Sequence, residues 1–367
     1  MDASSKESEP AGRASRVPAI SLPKGGGAIR GIGEKFAANP VTGTGSMTVP
    51  IAVSPARGGF GPQLSLSYNS GTGNGPFGFG WSLSLPSITR KNDKGLPQYL
   101  DVEESDVFIL SGVEDLVPAF KKDQFGNLIR DVEGNSIIDD IERDGYTVRR
   151  YLPRVEGLFA RIERWTRADG DQHWRSVSQD NVLTLYGKDD SSRLADPDDP
   201  RRVFSWLICG TLDDKGNVVS YGYKPEDGAE VDLERPQERN RGQRDALRRK
   251  VNRYIKQIRY GNRIPLLDDE GRRPRFLTDD ALQSAGWMFE VVFDYGEHHS
   301  DNPKPNDDEE ADPNRNNKWL CRNDPFSSHR AGFEVRTYRL AQRVLMFHHF
   351  PNEQGIGNDC LVRSTDF

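Results

Sequence analysis

Residues 21–86 read SLPKGGGAIRGIGEKFAANPVTGTGSMTVPIAVSPARGGFGPQLSLSYNSGTGNGPFGFGWSLSLP, and this stretch decides the fold class. Within it MTVPIAV (47–53), QLSLSY (63–68) and WSLSL (81–85) are short apolar runs bounded by Gly, Pro and Asn clusters. Each is a predicted strand, because the period is two and the runs are too short for helices. In LSLSY and WSLSL serine alternates with Leu, Tyr or Trp, so one face can pack while the other meets water or a second polar layer. Residues 69–80 (NSGTGNGPFGFG) then form a glycine-rich β-connection in which positive φ and close backbone approach are available.

That connection contains Gly73, Gly75 and Gly78 at G-x-G-x-x-G spacing. A dinucleotide fingerprint must follow a strand, open a helix and be followed by an acidic residue about 20 positions on. Here WSLSL follows, so the glycines are architectural and no cofactor is expected. Lys24 and Gly25–Gly27 lack the G-x-x-x-x-G-K-[ST] spacing of a phosphate loop.

The strand-turn-strand text continues outward. Strands are predicted at 107–110, 115–117, three between 158 and 185, 203–212, 218–223, 251–262, 287–295, 333–347 and 360–367. The turns between them are written Asp-x-x-Gly-Asn at 123–127 and 131–135, with Asp169-Gly170-Asp171 and Lys215-Gly216-Asn217 elsewhere. Residues 230–250 hold the best helical pattern, but Pro236, Asn240 and Gly242 leave only 243–250 as a short turn or two. Two segments fall outside the strands: a polar tail over 1–20, expected to be disordered, and an acidic, Pro- and Asn-rich loop over 300–319, expected to be mobile.

The 367 residues are 35% hydrophobic and 29% charged, with a formal net charge of -6 and a mean hydropathy of -0.73. So little apolar material predicts a thin core spread over extended sheets. Near-balanced charge gives no global field for nucleic acid or an anionic membrane. The local run Arg244, Arg248, Arg249, Lys250, Arg253, Lys256, Arg259 and Arg263 reads as the solvent-facing or acid-paired side of a strand carrying Val251, Tyr254, Ile258 and Tyr260. Cys209, Cys321 and Cys360 are odd in number and widely spaced, which argues against a disulfide framework or zinc site. No apolar h-region opens the chain and no run approaches 18 apolar residues, so neither a Sec-type signal nor membrane insertion is expected.

No constellation reads as an active site. His298-His299 and His348-His349 are adjacent pairs, and on a strand neighbours point to opposite faces, so neither pair is expected to chelate one metal. Asp307, Asp308, Glu309 and Glu310 lack the glycine and spacing of a calcium loop. Catalytic, cofactor and metal residues are therefore all expected to be absent.

The same opening text, with SPARGGFGPQLSLSYNSGTGNGPFGFGWSLSLPSITRK (54–91), RYIKQIRYGNR (253–263), FEVVFDYGEH (289–298) and CLVRSTDF (360–367), closely resembles the N-terminal domain of the Salmonella virulence plasmid B-protein (SpvB-type) family. That domain also begins component B of insecticidal toxin complexes (TcB). The resemblance runs from about residue 21 to the end. It implies an all-β fold of extended antiparallel strand-turn-strand sheets with few short helices, forming part of a hollow RHS-like shell that encloses a toxic effector before translocation. It implies as partners an RHS-repeat C component, the enclosed effector and, indirectly, a pore-forming A component, with release from the bacterium without a Sec signal. In one branch an actin ADP-ribosyltransferase follows, marked by an Arg, an S-T-S strand and an E-x-E loop. Here the E-x-E text is Glu7–Glu9 in the tail, and Arg363-Ser364-Thr365 is followed by Asp366, so that activity is not carried over. Residues 21–367 are thus expected to be one domain, incomplete at its C-terminal end and non-enzymatic.

Overall fold

The computed structural model describes residues 35–39, 43–111, 114–154, 160–239, 241, 246–306 and 319–367. The tail, the 21–34 segment and most of the acidic loop lie outside the described residues. In chain order the main strands are β1 (Lys35–Asn39), β2 (Thr44–Ile51), β3 (Leu64–Asn69), β4 (Trp81–Leu83), β5 (Ser87–Arg90), β6 (Phe108–Leu110), β7 (Glu114–Pro118), β8 (Tyr146–Pro153) and β9 (Arg161–Arg167). They continue as β10 (Gln172–Val177), β11 (Leu183–Tyr186), β12 (Val203–Leu212), β13 (Val218–Pro225), β14 (Arg253–Asn262), β15 (Trp287–Asp294), β16 (Arg343–Phe350) and β17 (Gly357–Asp366). Among the described residues the helices are single turns, α1 (Pro236–Arg239), α2 (Ala246–Arg249) and α3 (Asp279–Gln283). Pro236 opens α1, where its missing N–H costs nothing, although in the sequence it reads as a breaker.

The first four strands form a separate sheet in the order β1-β2-β3-β4. Its serine alternation has the expected result. Leu64 and Leu66 are buried, while Ser65 and Ser67 on the other face bond to the Ser84 hydroxyl at 3.1 and 3.2 Å. The glycine-rich connection after β3 closes on itself through paired Asn74–Gly75 and Gly78–Phe79 and leads into a strand, as read.

The second sheet has 15 strands, and closure is its organising feature. Each of β5 through β11 pairs antiparallel with the next in the chain. Strand β12 then joins both ends: its residues 208–212 pair with β11, and its Ser205, Trp206 and Leu207 pair with Thr89, Ile88 and Ser87 of β5. An up-and-down barrel results. Beyond the β5 contact, Gly210–Leu212 of β12 also pair with β13, from which β13-β14-β15-β16-β17 runs outward as an open antiparallel meander. The strand text read over 333–347 divides into Val335–Thr337, which belongs to a small hairpin, and β16.

The barrel is filled. Phe108, Tyr151, Trp174 and Trp206 meet inside it with ring centroids 4.7 to 5.9 Å apart. At about 25 cal/mol per Å2 and roughly 200 Å2 each, either buried indole contributes about 5 kcal/mol of gross stabilisation. The outer face of β9–β11 is buried as well, because the 263–286 excursion lies on it. Leu277 packs with Leu183, Leu185 and Leu212, and the Arg175 guanidinium is held 3.7 Å from the Trp165 ring and 4.8 Å from that of Phe276. The thin core expected from composition therefore describes the β1–β4 sheet better than the barrel. Hydrophobic content understates this interior, since paired arginines and carboxylates occupy part of it.

Candidate functional site

Three places on this scaffold concentrate chemistry. The first is the barrel mouth. Arg90 ends β5 and Arg164 sits mid-β9, and their side chains point inward with 0% and 4% exposure. Each guanidinium stacks on the aromatic box: Arg90 lies 5.1 Å from the Phe108 ring and 5.4 Å from Trp206, while Arg164 lies 5.3 Å from Phe108 and 5.4 Å from Tyr151. The loop of residues 91–107 folds across the opening and supplies the anions. Asp101 takes Arg90 Nη1 at 2.5 Å and Nη2 at 2.8 Å, Asp106 takes Arg90 Nη1 at 2.9 Å, and Glu104 takes Arg164 Nη2 at 2.6 Å. Gln172 donates to Asp101 at 3.0 Å and the Tyr151 hydroxyl to Glu104 at 2.8 Å. Burial alone would raise the Asp101 carboxyl, but the adjacent Arg90 guanidinium holds it below its ordinary value.

The second place is the turn after β15, where Asp294, Glu297 and His298 bring one ligand-type atom each within 4.8 Å of one another. This corrects the expectation that His298-His299 lie on a strand: the pair follows the end of β15. The legible signal is D-x-x-E-H over 294–298. The centre of the group is taken by a cation from β14. Lys256 Nζ lies 2.5 Å from Glu297 Oε1 and 2.7 Å from His298 Nε2, and donates to the Phe293 carbonyl at 3.1 Å. With His298 Nδ1–H donating to the Lys304 carbonyl at 2.8 Å, Nε2 is the acceptor. Asp294 is engaged by Arg343 Nε at 2.5 Å. An ammonium thus stands where a metal ion would, and the group ties β14, β15 and β16 together. Lys256 is buried and acid-paired, the second of the two alternatives read for the charged side of its strand.

The third place is the open edge. Strand β17 pairs with β16, and among the described residues no strand pairs with its other side. Leu361, Val362 and Phe367 are 37%, 45% and 50% exposed there. His349 holds this edge to the sheet, with Nε2 3.0 Å from Glu290 Oε2 and Nδ1 3.0 Å from Asp359 Oδ1. His348 faces the other way, 2.6 Å from Ser54 Oγ, so that pair does alternate as expected. Arg363, Ser364 and Thr365 lie on β17 opposite Met346, Leu345 and Val344; Glu7 and Glu9 are outside the described residues. Cys209, Cys321 and Cys360 are free thiols. No helix among the described residues is long and apolar enough to cross a membrane.

Comparison with known proteins places this architecture. The family described as Salmonella virulence plasmid 65kDa B protein (SpvB) matches residues 39–350. Mono(ADP-ribosyl)transferase SpvB of Salmonella choleraesuis (strain SC-B67) is 38% identical over 344 residues, which are 94% of this chain and 53% of that protein. The protein of the same name from Salmonella typhimurium (strain 14028s / SGSC 2262) is 38% identical over 343 residues, 93% of this chain and 53% of its own length. The chain thus spans about half the length of the curated relatives it matches. Among solved structures, the N-terminal domain of effector protein SpvB from Salmonella typhimurium strain LT2 superposes with a TM-score of 0.68 at 36% identity, covering 86% of this chain and 91% of that one. The TcdB2-TccC3 crystal structure gives a TM-score of 0.67 at 30% identity, covering 95% of this chain and 16% of that one. The Photorhabdus luminescens Tc holotoxin pore gives 0.66 at 31% identity, covering 96% and 15%. The fold and the sequence agree, and the chain belongs to the Salmonella virulence plasmid 65kDa B protein (SpvB) family.

Proposed function

We propose that this chain is a non-catalytic structural and delivery module of a bacterial toxin complex, contributing to a β-walled shell that encloses a toxic effector. The observation that carries this reading is the coverage of the TcdB2-TccC3 match: 95% of this chain corresponds to 16% of a much larger one. A domain used in that way works as a segment of a wall. The open β17 edge supports the same reading, since a strand with one side unpaired among the described residues and exposed Leu361 and Val362 can extend a sheet into a neighbour. The proposed partner is a TccC-type component bearing RHS repeats, with the effector inside and a pore-forming component met through the assembly. Release from the bacterium belongs to the same proposal.

Size-exclusion chromatography with light scattering tests this, using the chain alone and mixed with a TccC-type component. A stoichiometric complex is expected. A monomer that ignores the component at micromolar concentration refutes the shell role.

A second reading rests on the 38% identity to the mono(ADP-ribosyl)transferases and the 91% coverage of the SpvB N-terminal domain. In it the chain is the delivery half of an actin-modifying toxin, and the transferase lies outside it. A mono(ADP-ribosyl)transferase assay of the chain on actin then gives no labelling in either reading, and labelling would overturn the non-catalytic assignment.

A further inference from the structure

We propose that the barrel mouth is a carboxylate-binding site, filled in cis by the 91–107 loop and open in trans to an acidic peptide segment of a partner chain. This inference stands apart from the shell reading, because it depends on the barrel interior and not on the sheet edge.

Among the described residues, the carboxylates paired with Arg90 and Arg164 come from the loop: Asp101, Glu104 and Asp106. The barrel strands add neutral donors, Tyr151 and Gln172, and an aromatic floor, and among the described residues no counter-charge to these two guanidiniums. With the loop lifted, the mouth presents Arg90 and Arg164 over four rings, and Arg149 of β8, which pairs with Glu104 of the loop and with Asp140, stands beside them. Such a mouth demands anions, and it recognises them by charge-assisted hydrogen bonds to a fixed guanidinium geometry.

The loop fills this site incompletely. Arg164 is 3% exposed and uses Nη2 for its hydrogen bonds to Glu104 and the Asp101 carbonyl. Its Nε and Nη1 have no hydrogen-bond partner, nor do the buried Trp174 Nε1 and Gln172 Oε1 beside them. Buried donors left in this state carry the full cost of their desolvation. A carboxylate entering from another chain can engage Arg164 through two nitrogens, which the loop does not. Backbone conformation points the same way: Tyr99 (φ 62°) and Glu104 (φ 51°), both within the loop that delivers the anions, are left-handed non-glycine residues. On its outer side the loop leaves Leu96, Leu100 and Val102 exposed by 63%, 48% and 92%. Besides Arg90 and Arg164, the loop is anchored by Arg149 to Glu104, by Lys91 to Asp115 at 2.8 Å and by the Tyr99 hydroxyl, 2.5 Å from the Ala331 carbonyl.

The probe is a synthetic peptide of residues 97–107, PQYLDVEESDV, added to a full chain in which residues 94–106 are replaced by Gly-Gly-Ser. Binding is read by fluorescence of Trp174 and Trp206 and by recovery of the thermal midpoint. The acidic peptide is expected to bind and to raise the midpoint, and the same peptide with D101N, E104Q and D106N to bind about tenfold more weakly or worse. Equal affinity of the two peptides, or no binding by either, overturns the proposal. Hydrogen exchange on the unaltered chain decides the case if the shortened chain does not fold. Amides of Gln98, Tyr99, Leu100, Glu103 and Ser105, bonded within the loop, are expected to exchange through a local opening that leaves β5–β12 protected. Exchange of those amides only together with the barrel strands means that the loop does not open, and overturns the proposal equally.

Discussion

Mild acid is expected to weaken this fold through one histidine. His173 on β10 lies on the outer face of the barrel, 5% exposed, between the rings of Trp165 and Tyr146 at 5.9 and 5.4 Å. Its Nε2 accepts a hydrogen bond from Arg175 Nε at 3.1 Å, which makes it the Nδ1–H tautomer. Burial first, and then the positive charges of Arg175, Arg193 and Lys188, push it from 6.5 down to about 3. A depressed basic group costs stability as pH falls: below 6.5 the unfolded chain takes up a proton that the folded chain refuses, and the loss grows until about pH 3. At pH 7.5 the effect is about 0.1 kcal/mol, and at pH 5.0 it is about 2 kcal/mol. Gln at this position can still accept from Arg175 but does not titrate. Urea denaturation followed by tryptophan fluorescence at the two pH values, on the unaltered chain and on His173→Gln, isolates the contribution from other carboxylates and histidines. The variant is expected to lose about 2 kcal/mol less between pH 7.5 and 5.0. Equal losses in the two proteins would refute the reasoning.

Three further outcomes are expected. Arg339 and Glu226 form a wholly buried pair, with the guanidinium 4.3 Å from the Trp319 ring; Glu226→Gln leaves only the half-exposed Asp227, at 3.3 Å, as a described carboxylate on the cation and should cost about 3 kcal/mol in urea denaturation. Gly187 has φ +59°, and a Cβ added there would lie 2.8 Å from Trp206 Cβ, so Gly187→Ala should lower stability by about 2 kcal/mol or more. The exposed-turn substitution Gly126→Ala, at φ +87° with open space, should cost about 1 kcal/mol, and the calorimetric midpoints of the two variants order them. Leu361→Asp and Val362→Asp on the open edge should change the chain's own stability by less than about 0.5 kcal/mol, yet weaken assembly with a TccC-type component at least tenfold by light scattering.

The turns were legible because they are local. In residues 123–127, 131–135 and 213–217 the leading Asp accepts from the amides two and four positions on, and the glycines Gly126, Gly134 and Gly216 take φ of 87°, 87° and 79°. Asp side chains and glycine freedom suffice to fix such a bend without help from the rest of the chain. Strand alternation was legible for the same reason, and so were the bounds of β12, read as 203–212 and found as Val203–Leu212. The split between Val335–Thr337 and β16 was not, since FEVRTYRLAQRVLMFHHF keeps a strand-like pattern across residues whose backbone leaves the sheet.

Sequence by itself determined an antiparallel all-β chain, the glycine-rich connection that is not a nucleotide loop, and membership of its family. Only the tertiary structure decided that the strands close. Closure depends on β12 meeting β5 across more than 110 residues of chain, Ser205 with Thr89, and no local pattern encodes which edge a strand will find. The same distance hid the charges: Glu104 and Arg164 are 60 residues apart in sequence, and Lys256 is 41 residues from Glu297, the acid it pairs with. Burying a charge is unfavourable until its partner arrives, and the partner arrives only with the fold.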